Sequence, residues 1–325
     1  MSDSCFNYPI VENGTEQVRN LLLKSVNKNN SEVEQALTDM LTAGGKMLRP
    51  AIFLLFNEFG PEPKNSDKQI KIAASIEILH MATLIHDDII DDSPLRRGVA
   101  SVQAKLGKDV AVYAGDLLFT KFFQFINETM NGTDFMKINA DAMEQILMGE
   151  LIQKANRFNP NNLIETYLET VTGKTAELFR LACLEGAYFG GATESIVETA
   201  AEIGKNIGIA FQINDDILDY TSDQKTLKKP ILEDLAEGVY TLPLLLALKK
   251  DSSKFKALLD KNHQLTTGDV ENIVADVTQL GGIEKAIQYA ESYTNQAEKL
   301  IASLPTSNAK MVLNKAIKKM LTRKF

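Results

Sequence analysis

IEILHMATLIHDDIIDD, residues 76–92, carries the reading of the fold. Apolar residues recur here every three or four positions, with no alternation of the kind a half-buried strand shows, so the stretch reads as a helix. It closes on Asp87, Asp88, Asp91 and Asp92, and Ser93-Pro94 breaks it immediately afterwards, which puts the acids at a C-terminal helix end. The same period extends over almost the whole chain and predicts helices near 14–40, 48–59, 67–92, 101–130, 134–157, 161–190, 192–222, 231–251, 267–279, 281–303 and 306–322. Prolines fall at the edges of these segments: Pro50, Pro160, Pro230 and Pro243 where a helix can begin, Pro61, Pro63, Pro94 and Pro305 where one has ended. The expected class is all-α. No fixed-period repeat and no linker rich in Pro, Gly or Ser divides residues 1–325, so a single helical domain is the simplest organisation.

Composition narrows the function. A chain of 325 residues with 44% hydrophobic and 24% charged residues has the make-up of a globular protein with a sizeable core, which excludes global disorder. A net charge of -8 offers no bulk attraction to nucleic acid or anionic lipid, so any phosphate affinity must be local. Cys5 and Cys183 are too few for a disulfide framework or a cysteine-based zinc site, and a reducing compartment, the cytoplasm, is expected. No basic leader followed by an apolar core is seen, and no uncharged apolar run approaches the roughly 18 residues of a spanning helix.

A second acidic cluster, Asp215, Asp216 and Asp219, repeats the D-D-x-x-D spacing 128 residues after the first. At 3.6 residues per turn Asp87 and Asp91 project from one helix face, as do Asp215 and Asp219. Tracing back by threes and fours reaches Leu84, His80 and Ala73 from Asp87, and Phe211, Gly208 and Ile207 from Asp215. The carboxylates are therefore expected on the extension of buried faces. Negative charge at a helix C-terminus is disfavoured by roughly 0.3–1 kcal/mol, and clustered carboxylates repel unless a cation neutralises them. An all-oxygen donor set without a His or Cys pattern suits a hard ion such as Mg²⁺, which takes one or two protein carboxylates and leaves room for a substrate diphosphate.

The basic residues have matching places. Gly44-Gly45-Lys46-Met47-Leu48-Arg49-Pro50 sets a flexible loop and two cations before a helix N-terminus, an arrangement that receives anions. Arg96-Arg97-Gly98 follows the first acidic cluster as Lys229 follows the second. Gly173-Lys174-Thr175 lacks the earlier glycine and the strand of a nucleotide-binding loop; a glycine within a helical pattern instead predicts a kink that lets Lys174 reach a ligand.

Seven motifs in order make the chain resemble the all-trans polyprenyl diphosphate synthases over most of its length. They are Gly-Gly-Lys-x-x-Arg-Pro (44–50), Glu77-x-x-His80 leading to His86-Asp87-Asp88-x-x-Asp91, Arg96-Arg97-Gly98, Gly115-Asp116, Gly149-Glu150-x-x-Gln153, Gly173-Lys174-Thr175, and Phe211-Gln212-x-x-Asp215-Asp216-x-x-Asp219. The resemblance implies a helical bundle around a deep central cavity and condensation of an allylic diphosphate with isopentenyl diphosphate. It implies that Asp87, Asp91 and Asp215 hold Mg²⁺, supported by Asp88, Asp216 and Asp219. Arg96, Lys174 and Lys229 would bind the allylic diphosphate, with Thr175 and Gln212 near the reacting carbons. Lys46, Arg49, His80 and Arg97 would hold isopentenyl diphosphate. Two positions depart from the pattern: Met47 stands where Arg is frequent and Val239 where many members place a phosphate-facing Lys. The basic tail Arg323-Lys324-Phe325 resembles that of relatives whose C-terminus closes over the site.

In this family the residues one turn before the first acidic cluster set the floor of the product cavity. Ala82 and Thr83 are small and imply a product longer than farnesyl, in the heptaprenyl to octaprenyl range and suited to a quinone side chain; Phe119, Phe122, Phe123 and Phe125 could form a deeper floor. A farnesyl or geranylgeranyl synthase is the shorter-chain alternative. The resemblance also implies a homodimer, or a heterodimer with a dissimilar small subunit. A class I terpene cyclase, a non-catalytic subunit of the same fold and an unrelated helical interaction protein are the rival readings. The cyclase normally pairs one Asp-rich motif with an Asn/Ser/Glu-type motif, and an interaction protein leaves two inward acidic clusters without purpose.

Overall fold

Capping boxes decide several helix starts: Ser31 with Glu34, Ser66 with Gln69 and Thr266 with Asp269 each exchange side-chain and backbone hydrogen bonds across the first turn. The computed structural model describes residues 6, 8–26, 31–43, 45–221 and 233–321. Among these the helices are α1 (Pro9–Val26), α2 (Glu32–Thr42), α3 (Leu48–Asn57), α4 (Asp67–Ile90), α5 (Val102–Leu106), α6 (Lys108–Met130), α7 (Phe135–Ala155), α8 (Ile164–Val171), α9 (Glu177–Phe189), α10 (Glu194–Thr221), α11 (Glu233–Ala236), α12 (Leu242–Lys250), α13 (Ser253–Leu259), α14 (Thr267–Gln279), α15 (Gly282–Ser303) and α16 (Asn308–Leu321). A π-helical turn (Thr172–Ala176) joins α8 to α9, a 3-10 turn (Asn262–Gln264) precedes α14, and β1 (Leu95–Arg96) pairs antiparallel with β2 (Val99–Ala100). The all-α class is as expected.

Four boundaries differ from the periodicity. The expected helix 14–40 is two helices, because the Ser31 capping box starts a new one. The expected 101–130 breaks at Gly107, whose φ of 91° no helix accommodates. The expected 161–190 carries the π turn. The expected 231–251 is α11 and α12, and α13 and the hairpin at 95–100 were not anticipated.

Backbone packing divides the chain into two compact units: residues 1–140, 181–201 and 304–316 form one, and residues 141–180, 202–303 and 317–325 the other. The divisions at 140, 180, 201 and 316 fall inside α7, α9, α10 and α16, and that at 303 falls at the end of α15.

In the first unit α4 is central. It packs on α1, α3 and α6, and its residues from Ile70 to Ile85 are buried on nearly every side. Phe53, Leu55 and Phe56 of α3 and Phe122 of α6 are completely buried, each contributing about 1.5–3 kcal/mol of apolar burial. Gly186 admits the neighbouring backbone: a Cβ there would lie 2.4 Å from the carbonyl oxygen of Phe53. In the second unit one core gathers Ile164 and Tyr167 of α8, Ile213 and Ile217 of α10, Leu242 and Leu245 of α12, and Ile273 and Val277 of α14.

Candidate active site

The first acidic cluster ends α4. Asp87 and Asp91 are half-buried, Asp91 is the C-cap residue, and its N–H donates to the Asp87 carbonyl at 2.9 Å. They continue a half-buried stripe through His80, Thr83 and Leu84, spaced as one helix face. Ala73, earlier on the same stripe, is fully buried, so the face runs from the core toward the helix end, as expected. Asp88 lies off it and is buried, 3% exposed. A desolvated carboxylate needs a charged partner, and Arg96 supplies one, donating to Asp88 Oδ1 from Nε at 2.8 Å and from Nη2.

Arg96 reaches Asp88 because Arg96-Arg97-Gly98 is a hairpin rather than an open loop. Leu95 pairs with Ala100 and Arg96 with Val99, so Arg97 and Gly98 are the two turn residues, with φ of 53° and 81°. Positive φ at both positions is what a two-residue type I′ turn requires. Arg97 is exposed at the tip.

Arg97 returns to the Gly44-Gly45 loop, where a Cβ on Gly45 would stand 2.6 Å from its Nη1. Arg19 of α1 holds that loop from the other side, donating from Nη1 to the Leu41 carbonyl at 3.0 Å and from Nη2 to the Gly45 carbonyl at 3.2 Å. Met47 takes a left-handed conformation, φ 48°, and caps α3 with no side-chain hydrogen bond. Its side chain is buried, 5% exposed, so the departure from Arg at this position lies inside the protein, away from solvent. Lys46 is exposed and Arg49 half-buried; Gly44 lies outside the described residues. Burial, then Arg49, Arg97 and Arg96, hold the His80 imidazole well below its ordinary pKa, so it is neutral at pH 7. Burial raises the Glu77 carboxyl while Arg49, Arg97 and Arg19 oppose the rise. Arg49, Arg97 and His80 of the expected isopentenyl group are thus electrostatic neighbours, and Glu77 balances part of their charge.

Gly115-Asp116 serves His86: a Cβ on Gly115 would come within 2.4 Å of His86 Nε2, which lies 3.5 Å from Asp116 Oδ1. The His86 ring also meets Phe119, centroids 5.4 Å apart. Of the expected cavity-floor residues, Ala82 and Phe122 are fully buried, Thr83 and Phe119 half-buried, and Phe125 buried. Phe123 is on the exposed side of α6, 48% exposed.

In the second unit the other acidic cluster ends α10. Its stripe opens toward the end of the helix, from buried Ile207 and Gly208 to half-buried Phe211, Asp215 and Asp219. Asp216 is buried, 3% exposed, and accepts from Tyr167 Oη at 2.6 Å on Oδ2 and from Gln212 Nε2 at 2.9 Å on Oδ1. Gln212 in turn accepts from Thr175 Oγ1 at 2.8 Å. Burial raises the Asp216 carboxyl well above the usual range, helped by Asp234 and Asp219 and opposed by the two hydrogen bonds. It also raises the Tyr167 phenol, with the Asp216 charge adding to the rise.

The expected kink at Gly173 is the π turn, and a π turn re-aims the side chains around it. Gly149 and Gly173 touch, since a Cβ on Gly149 would be 2.5 Å from the Lys174 nitrogen. Lys174 Nζ then donates to Glu150 Oε2 and Gln153 Oε1, both at 2.9 Å, so two motifs far apart in sequence form one structure. Lys229 lies outside the described residues. Val239 is half-buried, its N–H donating to the Asp234 carbonyl at 2.8 Å, and Glu237 pairs with Arg157 at 3.2 Å. Tyr167 and Arg19 were not singled out by the sequence. A Tyr in a helical pattern reads as core, and an Arg on an amphipathic helix reads as surface.

Comparison with known proteins identifies the family. The family model described as polyprenyl synthetase matches residues 30–280. The heptaprenyl diphosphate synthase component 2 of Bacillus subtilis is 32% identical over 98% of this chain and 90% of its own length. The crystal structure of geranylgeranyl pyrophosphate synthase from Lactobacillus brevis is 41% identical, with a TM-score of 0.92 over 97% of this chain and 98% of that one. That of a polyprenyl synthase from Caulobacter crescentus, complexed with calcium and isoprenyl diphosphate, is 30% identical, with a TM-score of 0.89 over 97% and 96%. With an all-α fold, two D-D-x-x-D helix ends and a cationic loop beside His80, the chain belongs to the polyprenyl synthetase family and is a prenyltransferase of the polyprenyl diphosphate synthase class.

Proposed function

We propose that the chain condenses an allylic diphosphate, such as farnesyl diphosphate, with isopentenyl diphosphate units to make a long all-trans polyprenyl diphosphate in the heptaprenyl to octaprenyl range. One observation carries this reading. In both D-D-x-x-D clusters the second carboxylate is buried against a protein donor, while the first and last stay half-open at a C-terminal helix end. Negative charge at a C-terminal helix end is disfavoured by the helix dipole, and a bound cation accounts for carboxylates held there.

The donor set fits Mg²⁺: Asp87, Asp91 and Asp215 are hard oxygen ligands. Mg²⁺ takes one or two protein carboxylates and fills its shell with water and diphosphate oxygens. The Caulobacter crescentus enzyme with calcium and isoprenyl diphosphate supports a divalent ion. Bound Mg²⁺ supplies Lewis-acid stabilisation of the departing pyrophosphate. The chain's own part is electrostatic. Lys174 and Arg96, with Lys229, hold the allylic diphosphate; Lys46, Arg49, Arg97 and neutral His80 hold isopentenyl diphosphate; Thr175 and Gln212 lie near the reacting carbons, and apolar walls keep water from the allylic cation.

The chain works as a single domain and as a homodimer in the cytoplasm. Tyr113 and Leu117 on α6 are exposed apolar residues that a second copy would cover. Among the described residues no helix is long and apolar enough to cross a membrane. The Bacillus subtilis relative is named as a component, so light scattering of the chain alone separates self-association from dependence on another subunit.

A geranylgeranyl product is the second reading, favoured by 41% identity to the Lactobacillus brevis synthase. The deciding experiment incubates the purified chain with Mg²⁺, farnesyl diphosphate and labelled isopentenyl diphosphate and resolves products by length. Heptaprenyl or octaprenyl diphosphate bears out the long-chain reading, and geranylgeranyl diphosphate the shorter. Absence of both turnover and Mg²⁺-dependent diphosphate binding rejects the assignment.

A further inference from the structure

We infer that Tyr167 is a positioning residue: through Asp216 it sets the direction in which Asp215 and Asp219 leave α10. This rests on the functional reading above. Asp216 is the middle acid of its cluster, and at about 100° per residue it projects about 60–100° away from its two neighbours. Its two oxygens are both engaged, Oδ2 by the Tyr167 hydroxyl at 2.6 Å and Oδ1 by Gln212 at 2.9 Å. The Gln212 bond lies within α10, four residues back, and cannot orient the helix. The Tyr167 bond comes from α8, 49 residues earlier, and is short, which ties the Asp216 carboxyl to a neighbouring helix. Tyr220, on the turn after Asp216, has its hydroxyl engaged by Thr241 Oγ1 at 3.5 Å. Tyr167 therefore acts as the fixed post against which the end of α10 is turned.

The same post connects to the other side of the site. Gln212 accepts from Thr175 in the π turn, so Tyr167, Asp216, Gln212 and Thr175 form one chain of hydrogen bonds from the middle acid of the second cluster to the residue beside Lys174. A phenol with only a packing role could be exchanged for a phenyl ring without effect on chemistry. A positioning role could not, because the direction of the metal-facing carboxylates matters most when pyrophosphate departs.

The test replaces one hydroxyl, Tyr167→Phe, in the full chain. The expected result is kcat lower by about 10- to 100-fold, the size typical of losing a residue that orients a metal ligand, with a several-fold rise in the Mg²⁺ concentration for half-maximal rate. KM for isopentenyl diphosphate should stay within about twofold, since its cationic site is not touched. Combining Tyr167→Phe with Asp216→Asn should be no worse than Asp216→Asn alone. An active wild type whose Tyr167→Phe form keeps its kcat and Mg²⁺ requirement overturns the positioning role and leaves the functional reading intact. Should Tyr167→Phe fail to fold, Asp216→Asn carries the test, and wild-type kcat in that variant overturns it equally. If the wild type binds farnesyl diphosphate with Mg²⁺ but does not turn over alone, the same shift in Mg²⁺ requirement is read from calorimetric binding. A wild type that neither binds nor turns over removes the functional reading, and this inference with it.

Discussion

The guanidinium of Arg97 fills the space that a side chain on Gly45 would occupy, 2.6 Å from Nη1 to the Cβ position. The hairpin tip and the loop before α3 are thus fitted to each other, with Arg19 fastening the loop from behind. The contact is with the far end of a flexible side chain, so the protein can yield there without unfolding, but Arg97 must move. Gly45→Ala should raise KM for isopentenyl diphosphate by about tenfold, equivalent to about 1.4 kcal/mol, while kcat and the urea midpoint change little. Steady-state kinetics with farnesyl diphosphate saturating checks this; an unchanged KM would refute it.

Gly149 is a different case, because its neighbours are backbone. A Cβ there would meet the Lys174 nitrogen at 2.5 Å and the Thr170 carbonyl at 3.1 Å. Gly149→Ala should therefore destabilise the fold by about 1–3 kcal/mol, measured by urea denaturation. It should also lower activity per folded molecule, since the π turn that presents Lys174 has to shift.

His80 gives a pH signature. Its folded-state pKa is depressed well below 6.5 by burial and by Arg49, Arg97 and Arg96. As pH falls through 6.5 the unfolded chain takes up a proton at this site and the folded chain does not, so stability drops until the folded pKa is reached. Glu77 acts in the opposite sense: its raised pKa gives a contribution complete below 4.5 and lost as pH rises through the folded value. Comparing wild type with His80→Gln isolates the first effect. The urea midpoint of the wild type should fall more steeply between about pH 7.5 and 5.5 than that of the variant.

Bulky residues at 82 and 83 should both change product length but differ in their cost to stability. Thr83 is half-buried on the same stripe as His80 and Asp87, whereas Ala82 is wholly buried in the α4 core. Thr83→Phe should shorten the product with little loss of stability. Ala82→Tyr should shorten it too, but at a cost of about 1–3 kcal/mol from overpacking. Mass analysis of the products, with a denaturation curve for each variant, tests both, and unchanged chain lengths would exclude the open stripe as the cavity floor.

Much of this site was legible because its parts are local. The D-D-x-x-D spacing, the loop of Gly45, Lys46 and Arg49, and the glycine interrupting the helix at 173 can each be seen in a short window, and each marks a distinct local element of the structure: a helix end, a helix entry and the π turn. The bounds of α14 came out as 267–279 because Thr266 and Asp269 announce the start. Ser31 and Glu34 carry the same announcement, but apolar periodicity continuing across them concealed it. The pairings were not legible. Nothing near Gly45 points to Arg97, and nothing near Asp216 points to Tyr167, because those relationships depend on where helices far apart in sequence come to lie. The opposite fates of Asp87 and Asp88 likewise follow from which sides of α4 its neighbours cover, and no helical wheel contains that.

The π turn at Thr172–Ala176 holds one residue more than an α-helix of the same rise would need, and a single residue is worth about 100° of rotation. The buried faces on either side, Tyr167 and Val171 before it and Leu178 and Phe179 after it, are therefore out of phase by that amount and are brought into agreement only by the turn. Shortening the segment by one residue would restore an unbroken α-helix and swing either the Tyr167 side or the Phe179 side out of its core. The chain can vary in composition along this helix far more freely than it can vary in length.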